Sequence, residues 1–432
     1  MIRHALLASV LLLAPISSAG AAPVAGSDST LARAGSPGAD SLARPDRVER
    51  WRTDLEFLGD ELPRRHGSLF WRTPAAVFRS RLDSLVGAVP RCPDWQLVAG
   101  VAWLCALADA HTTLQWGDTA SHFRHLPIQI ADFEEGWYVL ATDLAHVSLL
   151  GARLVAVGDL PADRAAGALA PFLSHENEAW LGDRLGPALG CPELIAAAGL
   201  ATTPDTIAMR FDDGHGAIVA AMLTPLPLAS RPRWLTVFSE QHVTVPVARR
   251  DPGLAYWCRV LPESHALLFR YNACTEIDTL PFERFAARFW AAADSARVER
   301  VIVDLRANAG GRSSLWEPFV RGLTKRSGLA RKDRLAVLIS SRTFSSAVLD
   351  AWELSDHATL IGQPSGGKPN GWGEVKTFRL PRTGLLIQYS TRYFRLVRDA
   401  DPPSLEPDVA VPLRWDDYRN GRDAVLERAL AR

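Results

Sequence analysis

Lysine is nearly missing from this chain. Of the 48 Lys plus Arg residues only four are lysine, namely Lys325, Lys332, Lys368 and Lys376. The 48 cations equal the 48 Asp plus Glu, so no net field favours nucleic acid or an anionic membrane surface. Five cysteines in 432 residues (Cys92, Cys105, Cys191, Cys258 and Cys274) make no disulfide scaffold, although an oxidising compartment would allow one bridge. They read as small buried hydrophobes. Neither CxxC nor HExxH occurs, so a zinc site has no support. No internal repeat is visible. Beyond the first residues, no stretch approaches the roughly 18 uncharged apolar residues that a membrane span needs.

What remains is ordinary for a soluble globular protein, with 47% apolar and 22% charged residues. Residues 1–22 pair a short basic start with an apolar run and the small-residue stretch "AGAA". That pattern predicts a cleaved secretory signal, hence an exported protein, periplasmic or extracellular; Pro15 and the small residues argue against an uncleaved anchor. Residues 23–45, rich in Ala, Gly, Ser and Pro, read as a linker. Residues 46–115 form a helical region, in which Val48, Trp51, Leu55, Leu58 and Leu62 recur at helical spacing. Residues 116–250 hold short alternating runs between Gly and Asp turns, with one helical piece, "PADRAAGALAPFL". They are expected to form a small, mainly-β module. In residues 251–432 the apolar strands "RVIVDL", "LAVLIS" and "ATLIGQ" alternate with helical patterns, which predicts an α/β layered sheet. In such sheets, ligands bind where strands end and helices begin.

Three segments of that last region carry chemistry. In "VIVDLRANAGGRSS" the pair Gly310 and Gly311 ends a buried strand. Successive amides there would form an oxyanion hole or a phosphate cradle, or else an ordinary tight turn. In "LAVLISSRTFSSAVLDAWEL" Ser345 falls between strand and helix. There the helix N-terminus favours a developing alkoxide and the Ser346 amide is free to donate; the plainer reading is a helix cap. In "LIGQPSGGKPNGWGEV" Lys368 follows two glycines and precedes a proline that restricts it to extended backbone. Serine needs a base, and lysine serves where burial lowers its pKa, whereas arginine cannot. A chain that writes its cations as arginine has kept lysine here, unless Lys368 is merely a surface residue in a glycine loop. Asp304 and Arg306 read as a structural ion pair, and Trp372 as packing. "TKRSGLARKDR" is a solvated basic loop without the interleaved aromatics of a nucleic-acid site.

"VDLRANAGG", "RTFSSA", "IGQPSGGKPNGWGEV" with "LPRTGLLIQYSTRYF", and "LEPDVAVP" follow one another over about residues 262 to 415. In this order they resemble the tail-specific or C-terminal processing serine peptidases, with their tricorn-core-like and retinoid-binding relatives. "ALADAHTTL" resembles the D-x-H-T segment of the same family. The resemblance implies a crotonase/ClpP-like core, preceded by the helical region and by a module corresponding to the family's PDZ-like domain. It implies a serine-type peptidase acting on peptides or proteins without metal or organic cofactor. Ser345 takes the nucleophile position, Ser346 and the Gly310–Gly311 turn the oxyanion positions, and Lys368 the base position. His111 matches the histidine that tricorn-like members use instead, and Asp401 sits where those members have an acidic partner. "SSAV" departs from the family's Ser-Ala-Ser-Glu pattern, so a preference for C-terminal tails is not implied. A catalytically silent peptide- or lipid-binding relative and a non-peptidic acyl hydrolase are the rival readings.

Overall fold

The computed structural model describes residues 42–230, 232–240 and 245–431. The expected signal sequence and most of the linker lie outside them. The helical region consists of helices Pro45–Arg65, Ala75–Ala88 and Asp94–Ala106. The first starts with proline at its first turn, where no amide partner is lost, and buries Trp51, Leu55, Leu58 and Leu62 as their spacing predicts. Asp94, opening the third helix, accepts hydrogen bonds from Arg47, Arg50 and Trp51 of the first.

The middle region is an antiparallel sheet in the order Leu235–Thr236, Gly136–Thr142, Arg153–Val157, Ile207–Asp212, Ile218–Leu223. Strand Ile128–Phe133 also pairs with Gly136–Thr142. Helix Ala162–Leu169 is the expected one. Two more, Glu178–Leu189 and Pro192–Ala197, join the strands of this region. Their Gly182, Gly186, Pro187 and Pro192 look like turn residues in sequence. Gly186 is instead a contact residue, because a Cβ there would stand 2.5 Å from the Ile130 carbonyl oxygen. Helix and strand can pack this closely only without a side chain.

The helical and middle regions share one hydrophobic core rather than having one each. Trp51, Leu58, Val101, Ile128, Val139, Leu181, Leu194 and Phe211 belong to a single buried cluster. A hairpin from the last region, Asn370–Arg379 with Leu386–Arg395, adds Phe378, Ile387 and Tyr389 to it. Near its turn, the amides of Arg382 and Thr383 donate to the buried Asp54 carboxylate of the first helix. Strand Thr113–Leu114 pairs along its second arm.

The last region is built on a sheet in the order Tyr256–Leu261, Ala266–Tyr271, Arg300–Asp304, Leu335–Ile339, Thr359–Gly362, Val409–Ala410. The first pair is antiparallel and the others are parallel. Strand alternation separates two cores. Leu267, Phe269, Val301, Val303, Val337 and Ile339 face helices Phe282–Ser295, Glu317–Thr324 and Ser346–Leu354. Leu268, Ile302, Ala336 and Leu338 face the C-terminal helix Ala424–Leu430. Asp304 is fully buried between Arg270 and Arg306, the structural pairing expected for it. All five cysteines are free thiols. No helix of the described residues is long and apolar enough to cross a membrane.

Candidate active site

Strand Leu335–Ile339 and helix Ser346–Leu354 are joined by residues tied to the neighbouring strand end. Thr343 Oγ1 donates to the Leu305 carbonyl and the Phe344 amide donates to the Asn308 carbonyl, each at 3.0 Å. So held, Ser345 takes φ 54° and ψ −126°. A residue with a Cβ adopts such a backbone only at a cost on the order of 1–3 kcal/mol. Its side chain makes no capping hydrogen bond, so the helix-cap reading fails.

The turn after Asp304 lies directly against this serine. A Cβ on Gly310 would fall 2.6 Å from Ser345 Cβ and 3.0 Å from both the Phe344 carbonyl oxygen and the Ser346 nitrogen. Gly310 and Gly311 both have positive φ, 98° and 135°. The Gly310 amide donates to Asn308 Oδ1 at 2.8 Å and is thereby spent. The amides of Gly311 and Ser346 have no partner among the described residues, and Ser346 Oγ donates to the Gly311 carbonyl at 2.7 Å. Two free donors therefore flank the serine, one from the turn and one from the helix start. Gly310→Ala is expected to lower kcat about a hundredfold or more by displacing Ser345, an effect of the size that a 1 Å misplacement causes. Gly328→Ala, where an added Cβ meets nothing within 4 Å, should leave steady-state turnover unchanged.

The glycines before Lys368 are contact residues as well. A Cβ on Gly367 would lie 3.0 Å from the Ser345 nitrogen, and one on Gly366 2.1 Å from the Ser341 carbonyl oxygen. Lys368 thus leaves the chain beside the serine, with its amine engaged rather than free of partners. Nζ donates to Asp401 Oδ2 at 2.8 Å, an ion pair with the lysine side chain 12% exposed. Asn370 holds the Asp401 loop through the Val397 and Ala400 carbonyls.

His111 lies on the other side. Its ring packs on Phe344, the residue before Ser345, with centroids 4.3 Å apart. Both ring nitrogens are buried and neither has a hydrogen-bond partner, Ser345 Oγ included. Burial lowers the imidazole pKa, against the opposing pull of the Asp109 charge and the Trp372 carbonyl. The ring is therefore a neutral base. Beneath it Asp109 accepts from His66 Nε2 at 2.5 Å, the amides of His111 and Thr112, Thr112 Oγ1 and Ser390 Oγ. The Ser68 amide donates to His66 Nδ1 at 2.9 Å, so His66 is the Nε2–H tautomer and the donor to Asp109. Glu176 accepts from the Ala110 amide at 3.2 Å and leaves its Oε1 buried without a partner. Burial and the Asp109 charge raise its pKa to about 7.

Ser345, Ser346, Gly310, Gly311, Lys368 and His111 therefore converge, and Asp401 reaches them through Lys368. Sequence reasoning missed Asp109, His66, Glu176 and Trp180. The D-x-H-T segment carries a signal for Asp109. His66 and Glu176 belong to no motif, and only the fold brings them in. Trp372 packs on His66, at 5.2 Å between centroids, and on Gly67, where any Cβ would meet its ring.

No family model matches the chain, and no curated protein matches it in sequence. Its structure superposes on that of mature CPAF complexed with lactacystin (TM-score 0.60, 12% identity), covering 89% of this chain and 98% of that one. Mature CPAF alone gives TM-score 0.60 at 13% identity over 89% and 96%. The photosystem II D1 C-terminal processing protease superposes more loosely, with TM-score 0.37 and 14% identity over 88% and 98%. The chain has the fold of the CPAF structures across nearly its whole described length.

Proposed function

We propose that this chain is an exported serine-type peptidase in which Ser345 is the nucleophile and His111 the general base. One observation carries the reading. A neutral, unpartnered imidazole packs on the residue preceding a strained serine, and two unpaired amides flank that serine. Lys368, paired with Asp401, is not assigned the role of base.

In the reaction the Ser345 Oγ–H proton passes to His111 while Oγ bonds to the scissile carbonyl carbon. The resulting oxyanion is received by the amides of Gly311 and Ser346, each donor worth about 3 kcal/mol in the transition state. The C–N bond then breaks and the amine leaves with the proton from His111. Water, deprotonated by the same imidazole, releases the acyl group and restores Ser345. The absence of a Ser–His hydrogen bond at rest is consistent with such contacts tightening only when substrate binds. The parallel sheet with three helices on one face supports a crotonase/ClpP-like core. The antiparallel middle sheet with helix Ala162–Leu169 supports correspondence to a PDZ-like module.

A fluorophosphonate probe tests the assignment. Wild-type protein should be labelled once, on Ser345, and Ser345→Ala should not. Saturable peptide or lipid binding without labelling would make the chain a silent relative. Hydrolysis of esters but not peptides would make it an acyl hydrolase.

A further inference from the structure

Resting on the peptidase reading, we infer that Trp180 is a positioning residue for the general base: through Phe344 it sets the plane of the His111 ring, which no hydrogen bond of normal geometry orients.

A catalytic imidazole is ordinarily held by a hydrogen bond to the nitrogen that does not touch the nucleophile. Here neither nitrogen makes one of normal geometry, although the Trp372 carbonyl pulls on the ring. The main chain of His111 is fixed at both ends, its N–H by Asp109 Oδ1 and its carbonyl by Gln388 Nε2, both at 2.8 Å. Only the side-chain torsions remain free, and a stack of flat groups governs them. His111 lies tilted by 33° over Phe344 at 4.3 Å between centroids, and Phe344 stacks on Trp180 at 4.0 Å with planes 8° apart. The Arg184 guanidinium covers the Trp180 ring at 5.6 Å. Trp180 and Phe344 are buried together with Ala110, the residue before the histidine.

The stack is anchored to the catalytic elements. Asn177 caps the Trp180 helix by accepting from the Trp180 amide at 2.8 Å, and donates to the carbonyls of Ser365 and Pro403. Gly366 is bare where a Cβ would come within 2.8 Å of the Trp180 ring. Trp180 is thereby registered to the segment that carries Lys368 and, through Phe344, to Ser345. Aromatic pairs of this kind add about 0.5–1.5 kcal/mol beyond buried area, enough to favour one ring orientation.

The charged groups around His111 are Asp109 with His66 behind it, Glu176 ahead of the Trp180 helix, the Lys368–Asp401 pair, and Arg184 at the far end of the stack. Of these, only Arg184 touches the Trp180 ring; the others keep their partners when Trp180 is changed. Opening the stack admits water to the imidazole and relieves the burial that lowers its pKa. The pKa rises, and because the base must be neutral, the acid limb of the kcat/KM profile moves to higher pH.

The experiment compares Trp180→Ala, Trp180→Leu and Trp180→Phe with wild type, reading fluorophosphonate labelling rate and kcat/KM against pH. Trp180→Ala should lower kcat about 10- to 100-fold with KM within about twofold, and raise the acid limb. Trp180→Phe, which keeps a flat face, should recover most of the rate and the original limb. Should the alanine variant fail to fold, Trp180→Leu carries the test, filling volume without a face to stack on. Loss of folded protein alone would scale the profile down without moving its limb, and that result overturns the inference. So does wild-type labelling by Trp180→Leu while His111→Ala is silent, which leaves the peptidase reading intact. Failure of wild type to label at all removes both.

Discussion

His111→Ala is expected to lower kcat/KM by about a thousandfold or more, whereas Lys368→Arg should cost less than about tenfold. The contrast rests on what each side chain touches. Lys368 Nζ is bound to Asp401, and an arginine there can pair with the same carboxylate while having no removable proton. If lysine were the base, the arginine variant would be as dead as Ser345→Ala. His111 is the buried nitrogen base near Ser345 with nothing bound to it. Because burial lowers its pKa, the imidazole stays neutral to a pH below the ordinary histidine range. Activity should persist correspondingly far into weak acid before the base protonates. Steady-state kinetics of the two variants, with phosphonate labelling rates as an independent readout, decide the matter. Turnover by His111→Ala together with a silent Lys368→Arg would return the role to lysine.

The parts of this site legible in the sequence were those written in backbone-specific residues. Of the paired glycines at 310–311 and 366–367, Gly310 and Gly367 let the chain approach Ser345 without side chains, while Gly311 and Gly366 do the same against Cys274 and Ser341. The strand-helix alternation of the last region was equally readable, because Val301, Val303, Val337 and Ile339 are buried in runs. What was hidden depends on long-range packing. Helix Glu178–Leu189, which contributes Trp180, is studded with glycine and proline and declares itself only against strand Ile128–Phe133. The choice between Lys368 and His111 was also illegible. It turns on Asp401, 33 residues from Lys368 in the chain, and on an imidazole 234 positions before Ser345. Nor could the sequence show that the hairpin of the last region completes the core of the first, burying Ser390 against Asp109.

That last contact makes Asp109→Ala a strongly destabilising change. The carboxylate is fully buried and accepts from three side chains and two amides. Truncation strands His66 Nε2, Thr112 Oγ1, Ser390 Oγ and both amides without an acceptor or water. Leaving buried donors unsatisfied costs about 1–3 kcal/mol each, so even partial relaxation leaves a deficit of about 3 kcal/mol or more. Asparagine is no rescue, since its amide would point a donor at donors. Burial alone would raise the Asp109 pKa, but the hydrogen bonds from His66 and from the His111 amide outweigh it and hold the value at about 2. The folded pKa thus lies below the unfolded one, near 4. The stabilisation is complete above about pH 4 and is lost as pH falls toward about 2, a difference on the order of 2 kcal/mol. Urea unfolding of wild type and Asp109→Ala at pH 7 and near pH 2 checks both statements. The gap between the two proteins should be widest at neutral pH and should narrow in acid. A gap that is small at pH 7, or unchanged by acid, would mean that the carboxylate does not hold the hairpin, the His111 segment and His66 together.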